Sequence, residues 1–309
     1  MEGCSGHGTR KMGIGCAPIG WFICFLLGVV GCVSTLSARE VTLVAYNLEN
    51  YRVESSGPAR PKAMVSREAV VRSLTRLNPD VIGVCEMGSP EALHELRDRL
   101  HLAGLKLPEL EWVPGPDPDR HLALLSRYPI RMRQSRERVP YELHGTPQLV
   151  RRGFLDVTLE CAPRVSLRLV GAHLKSRLPA PEGQEEIRRR EARLLREHVE
   201  GILKREPGCR LVVYGDFNDT RDQPAIREIL GPRGGEAALQ DVLAEDELGD
   251  RWTYHWRSGD VYSRIDYILL SRGLSASLVW GSARVGRDAD WREASDHRPV
   301  SVRFRISEN

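Results

Sequence analysis

The chain has 309 residues, of which 41% are hydrophobic and 28% are charged, which is ordinary for a soluble globular protein. Its formal net charge of +3 is too small for the overall field to attract nucleic acid, so any affinity for phosphate must come from local groups. No internal repeat and no dividing linker is evident after residue 38, and one domain over residues 39–309 is therefore predicted.

The first 38 residues have the pattern of an export signal. Arg10 and Lys11 precede an apolar stretch at about 19–33, and a basic segment before an apolar run shorter than a bilayer span is typical of such signals. Cys32 ends a Val-Val-Gly-Cys sequence that looks like a bacterial lipobox, which predicts lipidation of Cys32. Cleavage after Ala38 and retention of the apolar segment as a membrane anchor are the alternatives. We expect an exported protein, lipid-anchored in the cell envelope or free in the periplasm or extracellular space.

Three cysteines follow this leader, Cys85, Cys161 and Cys209. They form no Cys-x-x-Cys pair, so neither a zinc site nor a disulfide scaffold is predicted. A Cys161–Cys209 disulfide stays open, because an oxidising compartment would permit it.

From Glu40 onward, short apolar strands alternate with helical segments. Strands are predicted at 41–46, 81–85, 121–126, 149–159, 166–172, 211–214, 264–270 and 300–306. Helices are predicted at 66–77, beginning at a Ser cap, at 91–103 and at 184–205, where the charged run 185–196 is typical of an exposed helix face. Consecutive strands near 122, 154 and 168 have no helix between them, so stacked mixed sheets with outer helices fit better than one parallel sheet.

Polar side chains lie where these strands end. In chain order they are Asn47 and Glu49, Glu86, His173, Asp216 and Asn218, Asp266, and Asp296 with His297. Taken singly, most would more simply be turn residues, helix caps or surface histidines. Asp266 is more telling, because a carboxylate flanked by apolar residues is costly to bury without a partner. The ordered set predicts that the strands bring these groups to one place.

The residue types suit the hydrolysis of a phosphoester. Mg²⁺ takes one or two carboxylates together with water and substrate oxygens, and Glu86 and Glu49 supply such carboxylates. A metal bound there neutralises charge on the phosphate and stabilises the departing oxygen.

The other groups are suited to moving protons. Asp216 and Asn218, two positions apart, can deprotonate and orient an attacking water. A histidine paired with an acid, such as His297 with Asp266, can hold a proton near the phosphoryl oxygens. Two further donors to the same oxygens are Asn47 and His173.

This set resembles the DNase I-like endonuclease/exonuclease/phosphatase superfamily, in that family's order and over about residues 40–309. Its most specific segments are Gly-Asp-Phe-Asn at 215–218 and Ser-Asp-His at 295–297. The resemblance implies an α/β fold, a four-layer α/β/β/α sandwich with the site at one end of both sheets.

The resemblance also implies a role for each matched residue. Glu86 would be the principal metal ligand, helped by Glu49 and Asp296. Many members have Asp where this chain has Glu49, and the longer side chain would change metal placement but not the reaction class. Asp216 would position or deprotonate the water, and His297 would polarise the phosphate with Asp266 behind it. The remaining assignments are Asn47 and Asn218 as phosphate or metal-water ligands, and His173 in place of the family's second His or Tyr.

We therefore predict a monomeric, Mg²⁺- or Mn²⁺-dependent phosphodiesterase with nucleic acid as the leading substrate. The His-Leu-Lys-Ser segment at 173–176 resembles bacterial extracellular nuclease-like members, and an export signal argues against genome repair. A phosphomonoesterase or a lipid-headgroup phosphodiesterase, similar to sphingomyelinases or inositol phosphatases, is the close alternative. An inactive binding module is the remote one, and it would lack some of the acids and histidines that are present here.

Arg152 and Lys175 are predicted to contact the substrate phosphate, with solvated surface charge as the alternative. The sequence shows neither an extended basic groove nor an aromatic platform for single strands. The choice of substrate therefore stays open at this point.

Overall fold

The computed structural model describes residues 39–55 and 60–307, which lie within one compact unit, Leu36–Asn309. The predicted signal, with Cys32 and the apolar anchor segment, falls outside the described residues. Among the helices that are described, none is both long enough and apolar enough to cross a membrane.

Strands and helices alternate along the described chain. The strands are β1 (Arg39–Tyr51), β2 (Val81–Met87), β3 (Glu109–Val113), β4 (His121–Ser126), β5 (Ile130–Arg133), β6 (Pro140–Leu143), β7 (Thr146–Leu149), β8 (Leu155–Ala162), β9 (Val165–His173), β10 (Leu211–Asp216), β11 (Gln240–Asp241), β12 (Tyr254–Trp256), β13 (Val261–Ser263), β14 (Asp266–Leu270), β15 (Arg284–Val285) and β16 (Val300–Ile306). The helices are α1 (Met64–Leu77), α2 (Pro90–Leu102), α3 (Gln184–Arg205), α4 (Pro224–Leu230), α5 (Arg272–Ser275) and α6 (Trp291–Ala294).

Most strands belong to two six-stranded mixed sheets. The first sheet has the order β15-β16-β1-β2-β4-β3, and the second has the order β11-β14-β10-β9-β8-β5. In the first, β1 is parallel to β2 and antiparallel to β16; in the second, β10 is parallel to β9 and antiparallel to β14. The hairpins β6–β7 and β12–β13 lie outside both sheets.

Three hydrophobic clusters hold four layers together. The first lies between the sheets and joins Leu43 of β1 to Val212 of β10. The second packs Leu195 of α3 on the outer face of the second sheet, and the third packs Leu74 of α1 on the outer face of the first. Burial on both faces explains the continuous apolar sequences of β2 and β10. The expected α/β/β/α sandwich is confirmed.

Two local expectations are wrong. Helix α1 begins at Met64 rather than at a Ser cap, and the Ser66 hydroxyl instead donates to the Glu293 carboxylate at 2.9 Å. The strand expected at 149–159 is split between β7 and β8. A turn separates the two parts, because the carbonyl of Arg151 accepts from the backbone N–H of Asp117 rather than from a neighbouring strand.

The expectation that 185–196 forms an exposed charged face is wrong for three residues of α3. Arg188, Glu191 and Arg196 are buried, and each has a partner that offsets the loss of water. Arg188 lies 3.1 Å from Asp219, Glu191 accepts the backbone N–H of Lys175, and Arg196 donates to the carbonyl of Ala237 at 2.7 Å. Through the first two contacts, α3 holds the loops that follow β9 and β10.

All three described cysteines are free. Cys161 is buried in the cluster between the sheets, whereas Cys209 packs against the cluster on the outer face of the second sheet. A Cys161–Cys209 disulfide is absent because the sheet itself separates the two thiols.

The ring of Tyr214 is wedged between the two sheets and requires glycine on both sides. A Cβ atom added at Gly83 of β2 would lie 2.0 Å from the ring, and one added at Gly171 of β9 would lie 2.8 Å from it. Tyr214 is fully buried, so the ring has no open space into which it can move. Two glycines on facing sheets thus make room for one aromatic ring.

Replacing Gly83 with Ala should lower the free energy of unfolding by about 1–3 kcal/mol, because the new methyl group overpacks the space around Tyr214. Urea denaturation followed by circular dichroism measures the change. Gly208→Ala is the matched control, since a Cβ atom there meets nothing within 4 Å. Equal stability of the two variants would contradict the proposed packing.

Candidate active site

The register of the sheets places the predicted polar groups side by side. In the second sheet, Asp216 at the end of β10 pairs with His173 of β9 on one side and with Asp266 of β14 on the other. In the first sheet, Asn47 of β1 pairs with Cys85, the residue before Glu86. Strand ends separated widely in sequence therefore converge at one end of the sandwich.

Asp216 is the centre of this cluster and is only 2% exposed. One carboxylate oxygen accepts from the Asn47 side-chain amide at 3.0 Å, and the other accepts from the Asn218 backbone N–H at 2.9 Å. The Nε2 atoms of His173 and His297 lie 3.5 and 3.7 Å from the carboxylate. Because Asn47 belongs to the first sheet and Asp216 to the second, the amide hydrogen bond joins the two sheets.

The electrostatics give the two histidines opposite character. Burial and the charge of Asp266 raise the pKa of Asp216 to about 7. Burial acts to lower the pKa of His297. The Asp266 carboxylate, 2.8 Å from Nδ1, has a larger opposite effect, and the pKa of His297 rises to about 10. Burial, with the nearby Arg152 guanidinium, lowers the pKa of His173 well below its ordinary value. A charged and a neutral imidazole thus flank one carboxylate.

A second group of carboxylates lies beside this cluster. The Oε2 atom of Glu86 accepts from the backbone N–H of Asn50 at 3.0 Å, and the Oε2 atom of Glu49 accepts from the backbone N–H of Asp296 at 3.0 Å. Burial raises the pKa of Asp296 to about 6, and the negative charges of Glu49 and Glu86 contribute in the same direction. Asp296 thus lies near two further acids, and a hard divalent cation would neutralise the negative charge of such a set.

Asp216, Asp266 and His297 also have ligand atoms within 4.8 Å of one another, and so offer a second geometric candidate for a metal. Hydrogen bonds already use much of their capacity, since His297 Nδ1 is paired with Asp266, and Asp216 accepts from two groups. Glu49 and Glu86 are also partnered, because Arg257 lies 3.5 Å from Glu49 and Arg120 lies 3.4 Å from Glu86. The assignment of Glu86, Glu49 and Asp296 as the metal ligands stays a prediction.

Several site residues have a backbone that non-glycine residues rarely adopt. Four of the eight described non-glycine residues with positive φ are Glu49 (47°), Asn50 (57°), Glu86 (60°) and Asn218 (54°). Such conformations cost free energy and are common at functional sites. The side chain of Asn218 is held by its own hydrogen bond, since its amide donates to the carbonyl of Leu174 at 3.0 Å.

Gly215, immediately before Asp216, is required by the same geometry. Its φ is 142°, and an added Cβ atom would lie 1.8 Å from the carbonyl oxygen of Ala172 on β9. Only glycine allows β10 to approach β9 this closely at the point where Asp216 begins the turn.

Two buried hydroxyls hold the cluster in place. Ser295 donates to the carbonyl of Asn47 at 2.9 Å and accepts from the backbone N–H of His297 at 3.0 Å. Thr253 accepts from the backbone N–H groups of Ile265 and Asp266, both at 3.1 Å. Ser295 therefore fixes the first sheet to His297, and Thr253 fixes the position of Asp266.

Sequence reasoning missed Thr253 and two other neighbours of the site. The ring of Tyr254 lies 4.8 Å from that of His297, and the Lys62 ammonium donates to the carbonyl of Glu49 at 3.2 Å. The aromatic-rich run at 252–256 was an available signal for Tyr254. Lys62 lies in a polar loop without a motif, and only the fold shows its position.

The structure does not bring Arg152 and Lys175 into contact with Asp216 or the acids around it. Arg152 is buried with its Nε atom 3.2 Å from Asp117. The ammonium of Lys175 donates to the carbonyls of Ser176 and Leu178 in its own loop. Their assignment as phosphate contacts stays a prediction.

Two facing sheets with an Asp–His–Asn cluster and adjacent acids at one end define the class of phosphoester hydrolases with this sandwich. The chain belongs to the Endonuclease/Exonuclease/phosphatase family, whose sequence pattern matches residues 44–297. That family comprises divalent-metal-dependent phosphoesterases. A search of curated proteins gives no match.

Solved structures with the same fold support this assignment. An endonuclease/exonuclease/phosphatase from Bacteroides vulgatus has 15% identity and a TM-score of 0.61, covering 87% of this chain and 99% of that one. The human Nocturnin catalytic domain has 16% identity and a TM-score of 0.60, covering 86% and 94%. The beta toxin of Staphylococcus aureus has 17% identity and a TM-score of 0.59, covering 85% and 99%. At these identities the likeness shows the fold, which agrees with the expected DNase I-like sandwich.

Replacing Ser295 with Ala should lower the free energy of unfolding by about 1–3 kcal/mol, because the Asn47 carbonyl and the His297 N–H each lose a buried partner. Thermal unfolding followed by circular dichroism measures the loss. Ser258→Ala, at an exposed position in the β12–β13 turn, should stay within about 0.5 kcal/mol of wild type. A Ser295→Ala variant as stable as this control would show that the hydroxyl does not hold the site together.

Proposed function

We propose that this protein is a divalent-metal-dependent phosphodiesterase that hydrolyses nucleic acid outside the cytoplasm. The observation that carries the catalytic part is the buried Asp216, held by Asn47 and Asn218 and flanked by the Asp266–His297 pair. This arrangement supplies a base and a proton-bearing group next to each other, with the Nε2 atom of His297 3.7 Å from the Asp216 carboxylate.

In the proposed reaction, water attacks the phosphorus atom and its proton passes to Asp216. The bond to the leaving oxygen breaks on the opposite side of the phosphorus atom, and that oxygen leaves as an alcohol after taking a proton from solvent water. Asp216 then returns the proton that it accepted to the solvent. His297, kept charged by Asp266, donates a hydrogen bond to a phosphoryl oxygen and so stabilises the negative charge that develops there. Asn218 orients the water, and Asn47 keeps the Asp216 carboxylate in position.

Glu86, Glu49 and Asp296 are the residues that would hold the metal, with Mg²⁺ or Mn²⁺ as the expected ion. A divalent cation bound there supplies Lewis acidity toward the phosphate oxygens and neutralises part of their charge. Support comes from Glu49, whose Oε2 atom accepts from the backbone N–H of Asp296 at 3.0 Å, and from the carboxylate oxygens of the three acids, which are the ligands that hard cations prefer. The sulfate anion in the Nocturnin structure shows that a protein of this fold accommodates a tetrahedral oxyanion.

Asp216→Asn should lower kcat by about 10²–10⁴-fold, because the amide cannot accept the proton of the attacking water. His297→Ala should lose a similar factor. The measurement is hydrolysis of plasmid DNA, single-stranded DNA, RNA, bis-p-nitrophenyl phosphate, p-nitrophenyl phosphate and sphingomyelin by the full chain, with Mg²⁺, Mn²⁺ or Ca²⁺ and after chelation.

Asp222→Asn is the matched control, because Asp222 is exposed and its carboxylate makes no contact among the described residues. It should retain wild-type rates. Wild-type turnover in Asp216→Asn, or turnover that survives complete chelation, would refute the catalytic assignment. Preference for p-nitrophenyl phosphate or for sphingomyelin would replace nuclease activity with phosphomonoesterase or lipid-headgroup activity.

The extracytoplasmic location rests on the sequence of the leader alone. A basic segment, an apolar run and a lipobox-like Cys32 are the supporting features. Export would also separate the enzyme from the cell's own genome and give it access to nucleic acid outside the cytoplasm.

Cys32→Ala should abolish incorporation of labelled fatty acid in a bacterial host and move the protein from the membrane fraction to a soluble one, because acylation requires the thiol. Labelling and fractionation of wild type and variant test this. Cys209→Ala, which leaves the leader intact, serves as the control. Unchanged membrane partition of the Cys32 variant would count against the lipobox.

A further inference from the structure

A strongly basic cavity of about 450 Å³ opens directly beside the proposed metal ligands. We call it the basic cleft and define it by its six cationic residues: Arg52, Arg60, Lys62, Arg120, Arg257 and Arg292. These residues come from four separate stretches of sequence, which explains why no basic groove is visible in the sequence itself.

The cleft keeps an excess of positive charge after its ion pairs are counted. Glu49 and Glu293 are the two acids in its wall. Two more acids lie close to its arginines, Glu86 at 3.4 Å from Arg120 and Asp119 at 3.7 Å from Arg52. Asp296 also interacts with Arg257 and Lys62, so six cations and five carboxylates leave 6 − 5 = +1. A divalent cation on Glu49 and Glu86 would make this region more positive still.

Three of the arginines have hydrogen-bonding capacity that the described protein does not use. The Nε atom of Arg52 is buried and has no hydrogen-bond partner there. Arg60 has no hydrogen bond or ion pair with any described residue, and the side chain of Arg292 contacts only the Tyr262 hydroxyl and the ring of Trp291. A buried donor without an acceptor is costly, and an anionic ligand would supply an acceptor for the Nε atom of Arg52. Arg60 and Arg292 are exposed, and the same ligand would give them a counter-charge.

The position of the cleft identifies which anion this is. It shares Glu49 with the proposed metal site, and its Arg120 lies against Glu86, so a ligand in the cleft adjoins the phosphate being cleaved. A substrate that carries a second phosphate next to the scissile one fits this charge. A choline headgroup does not, because its cationic end would face six like charges.

Aromatic groups next to the cleft favour a nucleic acid over other polyphosphates. Arg292 also lines a second cavity, of about 720 Å³, whose walls include Trp252, Tyr262 and Trp291. Trp252 packs edge-on against both Tyr262 and Trp291, at 4.8 and 5.0 Å between ring centroids. Basic grooves that adjoin aromatic rings are the usual means of binding a single strand, with phosphates on the cations and bases on the rings.

We propose that the basic cleft binds the phosphate that flanks the scissile one in a single-stranded nucleic acid, and that the adjoining aromatic cavity receives a neighbouring base. This inference rests on the proposed function, which it makes more specific. It assigns Arg60 and Arg292 to substrate binding rather than to the chemical step.

The test is the binding of a fluorescent oligothymidylate, measured by fluorescence anisotropy between about 50 and 200 mM salt. Every protein in this test carries Asp216→Asn, so that binding is measured without turnover. Adding Arg60→Gln and Arg292→Gln should weaken binding about tenfold or more and reduce the slope of log K against log salt by about 0.7, the value for one lost phosphate contact. Arg233→Gln, an exposed arginine in the loop after α4, is the control and should match the parent protein.

Equal affinity and slope in the double variant and the control would overturn the proposal. Loss of binding to phosphatidylserine vesicles, with oligothymidylate binding unchanged, would overturn it in favour of a membrane contact.

Kinetics with the Asp216 side chain intact separate this inference from the proposed function. The ratio of kcat/KM for the oligothymidylate to that for bis-p-nitrophenyl phosphate should fall about tenfold in the double variant, because only the strand has a flanking phosphate. An unchanged ratio would reject the cleft and leave the phosphodiesterase assignment intact. Absence of metal-dependent hydrolysis by wild type, with cleft-dependent strand binding preserved, would reject the phosphodiesterase and support the cleft.

Discussion

Asp216 is a carboxylate removed almost completely from water, and the structure around it offsets part of that cost. An isolated buried charge is strongly unfavourable, so it requires hydrogen bonds and opposite charge. Asn47 and the Asn218 backbone supply the hydrogen bonds, and His297, paired with Asp266, supplies the charge. Because Asn47 comes from the other sheet, the environment of Asp216 exists only when both sheets have assembled.

The register of the strands explains how residues from Asn47 to His297 reach one point. Asp216 has His173 and Asp266 as its partners on either side in the second sheet, and Asn47 pairs with the residue before Glu86 in the first. Glu49, Glu86 and Asn218 have left-handed backbone at or near the ends of these strands. The candidate groups thus lie where strands pass into loops, the part of a fold that most often carries function.

The spacing of apolar residues was sufficient to predict the bounds of elements whose burial follows a regular pattern. Strand β4, strand β16 and helix α3 have the predicted bounds, and the strand-end acids and histidines converge as the family resemblance implies. The same spacing did not predict burial where contacts with distant parts of the chain determine it. Glu191 has the composition of an exposed helix residue, yet it is buried because it accepts the backbone N–H of Lys175. The basic cleft was equally hidden, since its cations are neighbours only in three dimensions.

The wedge formed by Tyr214 between Gly83 and Gly171 has a consequence for how this protein can vary. The ring fills the space between β2 of the first sheet and β9 of the second, two or three residues before Glu86, His173 and Asp216 along their strands. Among the described residues the Tyr214 hydroxyl has no hydrogen-bond partner, so the ring contributes through its size. A larger side chain would push the two sheets apart, and a smaller one would leave a cavity between them. A substitution at position 214 would therefore act on the candidate site without changing any of its polar groups.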